Sequence, residues 1–229
     1  MRYFAKRKLI VLLIVILIFS TSIIQRATTK VTFNKYKKIT IVLDAGHGGI
    51  DGGSEGVNSK VKESHLNLIM VKELEKLFTL QGFKIVLTRD GDYGLYGDES
   101  KGFKLRDLKK RVEITDKANA VVMLSIHMNK YSSKERRGVQ VFYKQGSECS
   151  EMLAKKVQLS VNLLTEQPKM YNALKGDYYI LNCNARCSII VECGFLSSPI
   201  DEELLLSDTY RKKLAKAIYS GVFNYFSNK

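Results

Sequence analysis

Short apolar runs alternate with helical periodicities along most of the chain. Ile39–Leu43 is apolar and β-branched, which predicts a strand, and a glycine-rich loop over 44–53 follows it. Apolar residues then recur three and four positions apart and predict a helix over about 64–80. The alternation continues with a strand over 84–88, a helix around 105–115, strands over 120–126 and 138–143, a helix over about 148–164, strands over 178–181 and 188–191, and a helix over about 207–226.

Strands that alternate with helices predict an α/β fold with a mostly parallel, twisted sheet. The strand segments are continuously apolar, as strands are when helices cover both faces of the sheet. We therefore expect three layers, with helices on each side of the sheet, in a single domain. Active sites in such sheets tend to lie beyond the carboxyl ends of the strands.

The first thirty residues have the layout of an export signal. Met1–Lys8 is short and basic, and Leu9–Phe19 is an unbroken apolar run. The apolar stretch Leu9–Ile24 has 16 residues, whereas a membrane-spanning helix needs about 20. Residues 1–30 are therefore predicted to be a cleaved signal peptide or a short uncleaved anchor. In either case residues 31–229 would lie outside the cytoplasm as one domain.

The distribution of charge limits the classes of partner. The chain holds 37 Lys and Arg against 23 Asp and Glu, a net charge of +14. Residues 1–38 contain nine of the basic side chains and no acidic one, so the other 191 residues carry only +5. A nucleic-acid-binding protein concentrates basic charge on its folded domain, so we expect no nucleic-acid partner. Membrane contact is expected only through the N-terminal segment, if it is uncleaved.

The four cysteines are Cys149, Cys183, Cys187 and Cys193. Four in about 200 exported residues is too few for a disulfide scaffold. The spacing of Cys183 and Cys187 would permit a metal pair. Since a domain of this size can build its own core, we expect free, partly buried thiols.

Candidate chemistry lies where predicted strands end. The three histidines are His47, His65 and His127, and His47 and His127 each follow a strand. Imidazole and carboxylate are ordinary zinc ligands, and catalytic zinc keeps three protein ligands and an open position. His47 and His127 form the obvious pair, with Glu63 at the start of the 64–80 helix as third candidate. A pair of hydrogen-bonded structural histidines is the alternative.

Glu192 directly follows the apolar strand over 188–191. Carboxylates are rarely buried unless they are paired or functional. Partial burial would raise the pKa of Glu192 towards the range useful for a general base. A structural salt bridge, for example with Arg186, is the alternative interpretation.

These residues belong to five ordered blocks that carry a family resemblance. The blocks are Asp44-Ala-Gly-His47-Gly-Gly-x-Asp-x-Gly, Glu63 before Asn67-Leu, Leu-Thr-Arg89, Ser125-Ile-His127-x-Asn129 and Val-Glu192-x-Gly-Phe-Leu-Ser. Over about residues 38–227 they resemble the zinc-dependent N-acetylmuramoyl-L-alanine amidases. Within this family, the plan of one catalytic domain behind one N-terminal segment is most similar to that of the spore-cortex amidases of endospore-forming bacteria.

The resemblance implies hydrolysis of the amide between N-acetylmuramic acid and L-alanine in peptidoglycan. It implies Zn²⁺ held by His47, Glu63 and His127, with Glu192 as the catalytic glutamate. The spore-cortex branch further implies a role in muramic-δ-lactam maturation. The expected location is extracytoplasmic: secreted, membrane-anchored at the cell wall, or in the intermembrane space of the developing spore. An accessory protein is a further partner that the sequence leaves open.

Some positions depart from the family pattern without removing a catalytic part. His65 occupies a place usually filled by a non-ligand polar residue, and we expect it at the surface or beside the site. Cys193 follows the catalytic glutamate where a small apolar residue is common, and residues 184–188 lack a proline often seen there. Arg89 and Asn129 are expected to support the site.

The remaining expectations concern the substrate groove, the pH at which zinc is lost and the alternative functions. Residues 164–177 are predicted to line the substrate groove, with the 90–104 loop as second candidate. Zinc should be lost below about pH 6, from a reference histidine pKa near 6.5. The alternative functions are a wall-binding protein that kept the fold without turnover, and a zinc deacetylase or peptidase of another amide.

Overall fold

The computed structural model describes residues 36–227, together with Ile14, Val15, Leu17, Ile18 and Ser20 of the N-terminal segment. The predicted signal or anchor over 1–30 therefore lies almost wholly outside the described residues. Among the residues that are described, no helix combines the length and apolar character needed to cross a membrane.

Between residues 36 and 227 the chain alternates strands and helices, as the hydrophobic pattern predicts. The elements in chain order are β1 (Thr40–Ala45), α1 (Glu63–Leu80), β2 (Lys84–Leu87), α2 (Phe103–Lys117), β3 (Val122–Asn129), β4 (Gln140–Tyr143), α3 (Glu148–Val161), β5 (Leu174–Lys175), α4 (Tyr179–Asn182), β6 (Cys187–Phe195), α5 (Pro199–Leu206) and α6 (Asp208–Ser227).

The strands form one sheet in the order β2-β1-β3-β6-β4-β5. The pairs β1–β2, β1–β3 and β3–β6 are parallel, while β4 runs antiparallel to β6 and β5 runs parallel to β4. The carboxyl ends of β1, β3 and β6 therefore meet at one edge. The predicted α/β fold with a mostly parallel sheet is confirmed.

Helices cover both faces of this sheet. Leu124 on β3 and Ile189 on β6 point into the main core, which residues of α1, α3 and α6 close. The neighbouring Met123 and Ile190 point the other way, into a smaller core closed by α2 and α4. Because successive side chains of a strand face opposite sides, two-sided burial accounts for the continuously apolar strands. The predicted three layers are confirmed.

Three short elements differ from the prediction, and one of them is the two-residue strand β5, which was not predicted. Residues 178–181 were expected to form a strand, but Tyr179–Asn182 forms one helical turn that buries Ile180 and Leu181. A short apolar run does not distinguish a helical turn from a strand, so the prediction was wrong. Helix α5 was not predicted, although its start carries a usual signal: Ser198 caps it and Pro199 opens it.

Helices α3 and α6 pack too closely for a side chain at Gly221. A Cβ there would lie 2.5 Å from the Cα of Val157. We expect Gly221→Val to lower the free energy of unfolding by about 1–3 kcal/mol, because overpacking against backbone forces the helices apart. Urea unfolding followed by circular dichroism measures this change. Ser220→Val, on the exposed side of α6, should change it by less than about 0.5 kcal/mol. Equal unfolding midpoints for the two variants would contradict the close helix contact.

Candidate metal centre

The pairing of β3 with β6 places two of the predicted site residues side by side. His127 and Glu192 are register partners on adjacent parallel strands, so their side chains stand on the same face of the sheet. Both were expected just after their strands. The ladder instead continues to Asn129 on β3 and Phe195 on β6, so both residues lie within the strands, near the carboxyl ends.

The three predicted metal ligands come together at this edge. His47 lies in the loop after β1, and Glu63 is the first residue of α1. His47 Nε2 lies 3.2 Å from Glu63 Oε1, and His127 Nδ1 lies 2.9 Å from the same oxygen. One ligand atom from each of the three residues lies within 4.8 Å of the others.

This donor set fits a zinc ion. Two imidazoles and one carboxylate are the three protein ligands of a catalytic zinc site with an open position. Ligand atoms 2.0–2.1 Å from a tetrahedral zinc stand about 3.3–3.4 Å apart. The separations of Glu63 Oε1 from His47 Nε2 and His127 Nδ1, 3.2 and 2.9 Å, are near that value.

Asp51 fixes the orientation of His47. Its Oδ2 lies 2.9 Å from His47 Nδ1, which leaves Nε2 to face Glu63. A carboxylate on the second imidazole nitrogen is the usual support of a ligating histidine. The backbone of His47 has a φ of 61°, a conformation that non-glycine residues rarely adopt. The surrounding contacts must therefore hold this loop in place.

Gly46 lets the same loop lie directly on the ring of His127. A Cβ at this position would lie 2.2 Å from His127 Cε1. Only glycine permits so close an approach of backbone to side chain. The glycine-rich character of the 44–53 loop is thus required by the distance between β1 and the imidazole.

A buried charge network lies beneath the ligands. Asp44 is fully buried and accepts hydrogen bonds from Thr88 Oγ1, Ser125 Oγ and Arg111 Nη1, each 2.6 Å long. Burial alone would raise the pKa of Asp44, but Arg111 and the two hydroxyl groups outweigh it and hold the pKa below its usual value. Asp44 is therefore a carboxylate that anchors the end of β1.

Arg111 supports the site, but it was not among the residues predicted from the sequence. It is buried on α2 and also donates to the carbonyl oxygens of Ala45 (2.7 Å) and His47 (2.8 Å). Its position three residues after Leu108 and four before Thr115 is on the inward face of the helix. That placement of a charged residue on an apolar face was the available signal.

Glu192 faces the ligand group from β6. Its side chain is buried, and its Oε2 has no hydrogen-bond partner among the described residues. Burial raises the pKa of Glu192 to about 7, with attraction by His127 opposing and repulsion by Glu63 adding to the effect. The alternative salt bridge with Arg186 is wrong, since Arg186 Nε lies 3.6 Å from Asp116. The site thus holds a carboxyl group suited to proton transfer.

The remaining candidate residues lie outside the ligand group. His65 is exposed, and its Nε2 lies 3.0 Å from Asp92 Oδ2, which agrees with a surface role. All four cysteines are free thiols. Cys193 is fully buried, and burial raises its pKa. Asn129 ends β3 and pairs with Phe195.

A pocket of about 160 Å³ opens beside His47 and His127. Lys104 and Leu108 of α2 and Ile180 of α4 line its outer wall. The 90–104 loop adjoins this pocket and also covers the His47 loop, where the Tyr96 hydroxyl accepts a 3.1 Å hydrogen bond from Ile50 N.

The 164–177 segment contacts the start of β4, where the Tyr171 hydroxyl donates to the Arg137 carbonyl over 2.8 Å. Its predicted role as the substrate groove stays a prediction.

Comparison with known proteins identifies the family of this chain. The N-acetylmuramoyl-L-alanine amidase family matches residues 41–224, a range that includes all four predicted site residues. The chain belongs to this family. The resemblance predicted from its five sequence blocks is confirmed, and with it the enzyme class, a peptidoglycan hydrolase of the N-acetylmuramoyl-L-alanine amidase type.

Individual relatives agree with this assignment. The germination-specific N-acetylmuramoyl-L-alanine amidase of Bacillus subtilis is 32% identical over 193 residues, which cover 82% of this chain and 80% of that protein. The N-acetylmuramoyl-L-alanine amidase AmiA of Escherichia coli is 27% identical over 233 residues, covering 82% of this chain and 76% of that protein. The CwlD amidase from Clostridioides difficile, solved in complex with the GerS lipoprotein, superposes with a TM-score of 0.80 at 34% identity. That match covers 84% of this chain and all of CwlD.

Metal affinity should fall as the pH falls below about 9. Burial tends to lower the pKa of His47, but its hydrogen bonds with Asp51 and Glu63 outweigh burial and raise the pKa to about 9 in the metal-free chain. A ligating imidazole must be neutral, so protons compete with metal from a higher pH than the reference histidine pKa would give. Zinc titrations against a chromogenic chelator between pH 6 and 9.5 measure this competition. Asp51→Asn should move its onset to lower pH, and a pH-independent affinity would contradict the assignment.

Ionised Glu192 should destabilise the metal-free fold. Its pKa is about 7 when folded, against an ordinary value of 4.5, so the folded chain binds more protons between these pH values. Stability then falls as the pH rises from about 4.5 to 7, by about 1.4 kcal/mol per pKa unit. With chelator present, Glu192→Gln should be about 2–3 kcal/mol more stable than the parent at pH 8 and about equal at pH 4.5.

The exposed Glu203 provides the matched control for this measurement. Glu203→Gln should change stability equally at the two pH values. If Glu192→Gln gave no more stabilisation at pH 8 than at pH 4.5, the buried carboxyl would not have its raised pKa.

Proposed function

We propose that this amidase is zinc-dependent, with His47, Glu63 and His127 as the metal ligands and Glu192 as the proton-transfer group. The observation that carries the proposal is the position of Glu192. It stands in register beside His127, buried, with Oε2 free of hydrogen bonds among the described residues. A carboxyl group desolvated next to a three-ligand set is the arrangement that a metal-assisted amide hydrolysis needs.

Glu192 carries both proton transfers of the reaction. His47, Glu63 and His127 would hold the zinc ion, which when bound would supply Lewis acidity towards the amide carbonyl and would lower the pKa of water. Glu192 accepts a proton from the attacking water at Oε2. As the bond between the lactyl carbonyl carbon and the L-alanine nitrogen breaks, Glu192 delivers that proton to the nitrogen. The products are the muramoyl carboxylic acid and a stem peptide with a free amino terminus.

The pKa of Glu192 suits both the uptake of the proton from water and its delivery to the amide nitrogen. A group with a pKa near 7 can accept a proton and release it again at neutral pH. Glu63 and Asp51 have the opposite role. Hydrogen bonds with the histidines hold the pKa values of both carboxyl groups below their usual range, so both stay ionised. They are suited to bind or orient rather than to exchange protons.

The biological substrate that we propose is the peptidoglycan of the spore cortex, where peptide removal prepares muramic acid for δ-lactam formation. Two relatives support this narrower assignment, the germination-specific amidase of B. subtilis and CwlD of C. difficile. The complex of CwlD with the GerS lipoprotein supports an accessory protein as a partner of this chain as well.

We place the reaction outside the cytoplasm. Residues 1–30 would act as signal peptide or anchor, and residues 31–229 as the catalytic domain. The protein would then be secreted or held at the cell wall, or lie in the intermembrane space of the developing spore. The relatives include proteins named as cell wall amidases, which supports this location.

Incubation of the zinc-loaded protein with purified peptidoglycan should release stem peptides that begin with L-alanine. Glu192→Gln should lower this rate by about 10²- to 10⁴-fold, the usual contribution of a general acid–base group, and still bind one zinc. Mass spectrometry of the products and metal analysis measure the two properties. Glu203→Gln serves as the matched control and should keep the parent rate.

Each part of the proposal has its own contrary outcome. Release of acetate or of shortened peptides would make the chain a deacetylase or a peptidase. An active Glu192→Gln variant would overturn the assignment of that residue. Equal rates on cortex and vegetative peptidoglycan would contradict the proposed cortex specificity.

A further inference from the structure

Arg89 is a buried cation that donates its hydrogen bonds to main-chain carbonyls. It is 1% exposed. Its guanidinium donates to the carbonyl oxygens of Ala45 (2.8 Å), Gly46 (3.0 Å), Ser64 (2.7 Å) and Gly91 (2.8 Å). Among the described residues it forms no ion pair within 4 Å, whereas its neighbour Arg111 pairs with Asp44. Burial and the charge of Arg111 lower the pKa of Arg89.

Three of these four carbonyls belong to two ligand-bearing segments, and the fourth, that of Gly91, belongs to the 90–104 loop. Ala45 and Gly46 directly precede His47, and Ser64 directly follows Glu63. One planar, rigid group therefore joins the backbone beside one proposed ligand to the backbone beside another. The fork of a guanidinium fixes its donors relative to one another, so this contact sets the spacing of the two segments.

A buried cation with only carbonyl partners is a costly way to hold a fold together. Removing such a charge from water is unfavourable, and well-packed apolar residues often serve stability better. Features of this kind are expected where function requires them. Here the cation lies under the loop in which His47 adopts its unusual left-handed conformation.

We propose that Arg89 is a positioning residue for the metal centre. It touches neither metal nor substrate, but it holds His47 and Glu63 at the separation that a metal ion requires, and so sets metal affinity. This inference rests on the proposed role of His47, Glu63 and His127 as ligands. It assigns Arg89 to metal retention rather than to proton transfer.

Two substitutions separate the span of the guanidinium from its charge. Arg89→Lys keeps the charge, but one ammonium group cannot reach carbonyls on three sides at once. Arg89→Gln removes the charge and keeps a short hydrogen-bonding amide. Both should loosen the spacing of the ligand segments.

The chain offers a matched control in Arg106. Its guanidinium also donates to main-chain carbonyls, those of Tyr96 (3.1 Å), Asp98 (2.8 Å), Ser100 (3.3 Å) and Lys101 (3.1 Å), and unlike that of Arg89 it forms an ion pair, with the Asp98 carboxylate. That loop carries no proposed ligand. Arg106→Lys therefore removes the same kind of span from a segment that does not hold the metal.

The test is zinc affinity, measured by chelator competition at fixed pH, with circular dichroism and urea unfolding to establish the fold. Arg89→Lys and Arg89→Gln should raise the zinc Kd about 10- to 100-fold, as loss of a group that orients metal ligands does. Arg106→Lys should change it by less than about 2-fold, because none of the carbonyls that Arg106 contacts belongs to a ligand-bearing segment. Visible spectra of the Co²⁺-loaded proteins should change for the Arg89 variants only.

The outcomes separate the inference from the proposed function. If the parent protein bound no stoichiometric zinc, the proposed metal centre would fail. If the parent bound zinc and a folded Arg89 variant bound it within 2-fold of the parent, the positioning role would be overturned. Loss of the fold in both Arg89 variants would also overturn it, because Arg89 would then be a structural residue of the whole domain.

Discussion

The parallel pairing of β3 with β6 is the contact on which the rest of the site depends. It lies at the centre of the sheet and sets His127 level with Glu192. A slip of one residue would turn one of these side chains to the opposite face of the sheet. Burial on both faces prevents such a slip, because each strand residue has a specific layer of core to enter. The position of His127 beside Glu192 is thus a consequence of the register that burial of the apolar residues imposes.

The same edge of the sheet holds several charges with different surroundings. Asp44 has hydroxyl donors and Arg111, so it stays ionised although it is fully buried. Glu192 lies two strands away without comparable donors, and its pKa rises instead. The pKa values of Asp44 and Glu192 therefore differ because the fold places hydrogen-bond donors and a guanidinium around Asp44 but no comparable donors around Glu192. This difference separates the carboxylate of Asp44 from the carboxyl group of Glu192, the proposed proton-transfer group.

The main elements could be predicted, and the metal ligands proposed, because both depend on patterns that are local in sequence. Apolar periodicity marks the long helices and the buried strands, and the histidines lie at strand ends where a parallel sheet gathers its polar groups. The turn at 179–182 could not be predicted, since four apolar residues fit either a helix or a strand. The role of Arg111 required knowing which backbone carbonyls face α2, which only the folded chain determines.

The two edge strands of the sheet limit the association of this domain with other chains. β5 has only two residues and ends in Lys175, while the opposite strand β2 begins with the exposed Lys84. Unpaired strand edges invite edge-to-edge association with other chains, and short strands with lysines discourage it. The domain is in this way protected from edge-to-edge self-association while its central strands remain continuously apolar.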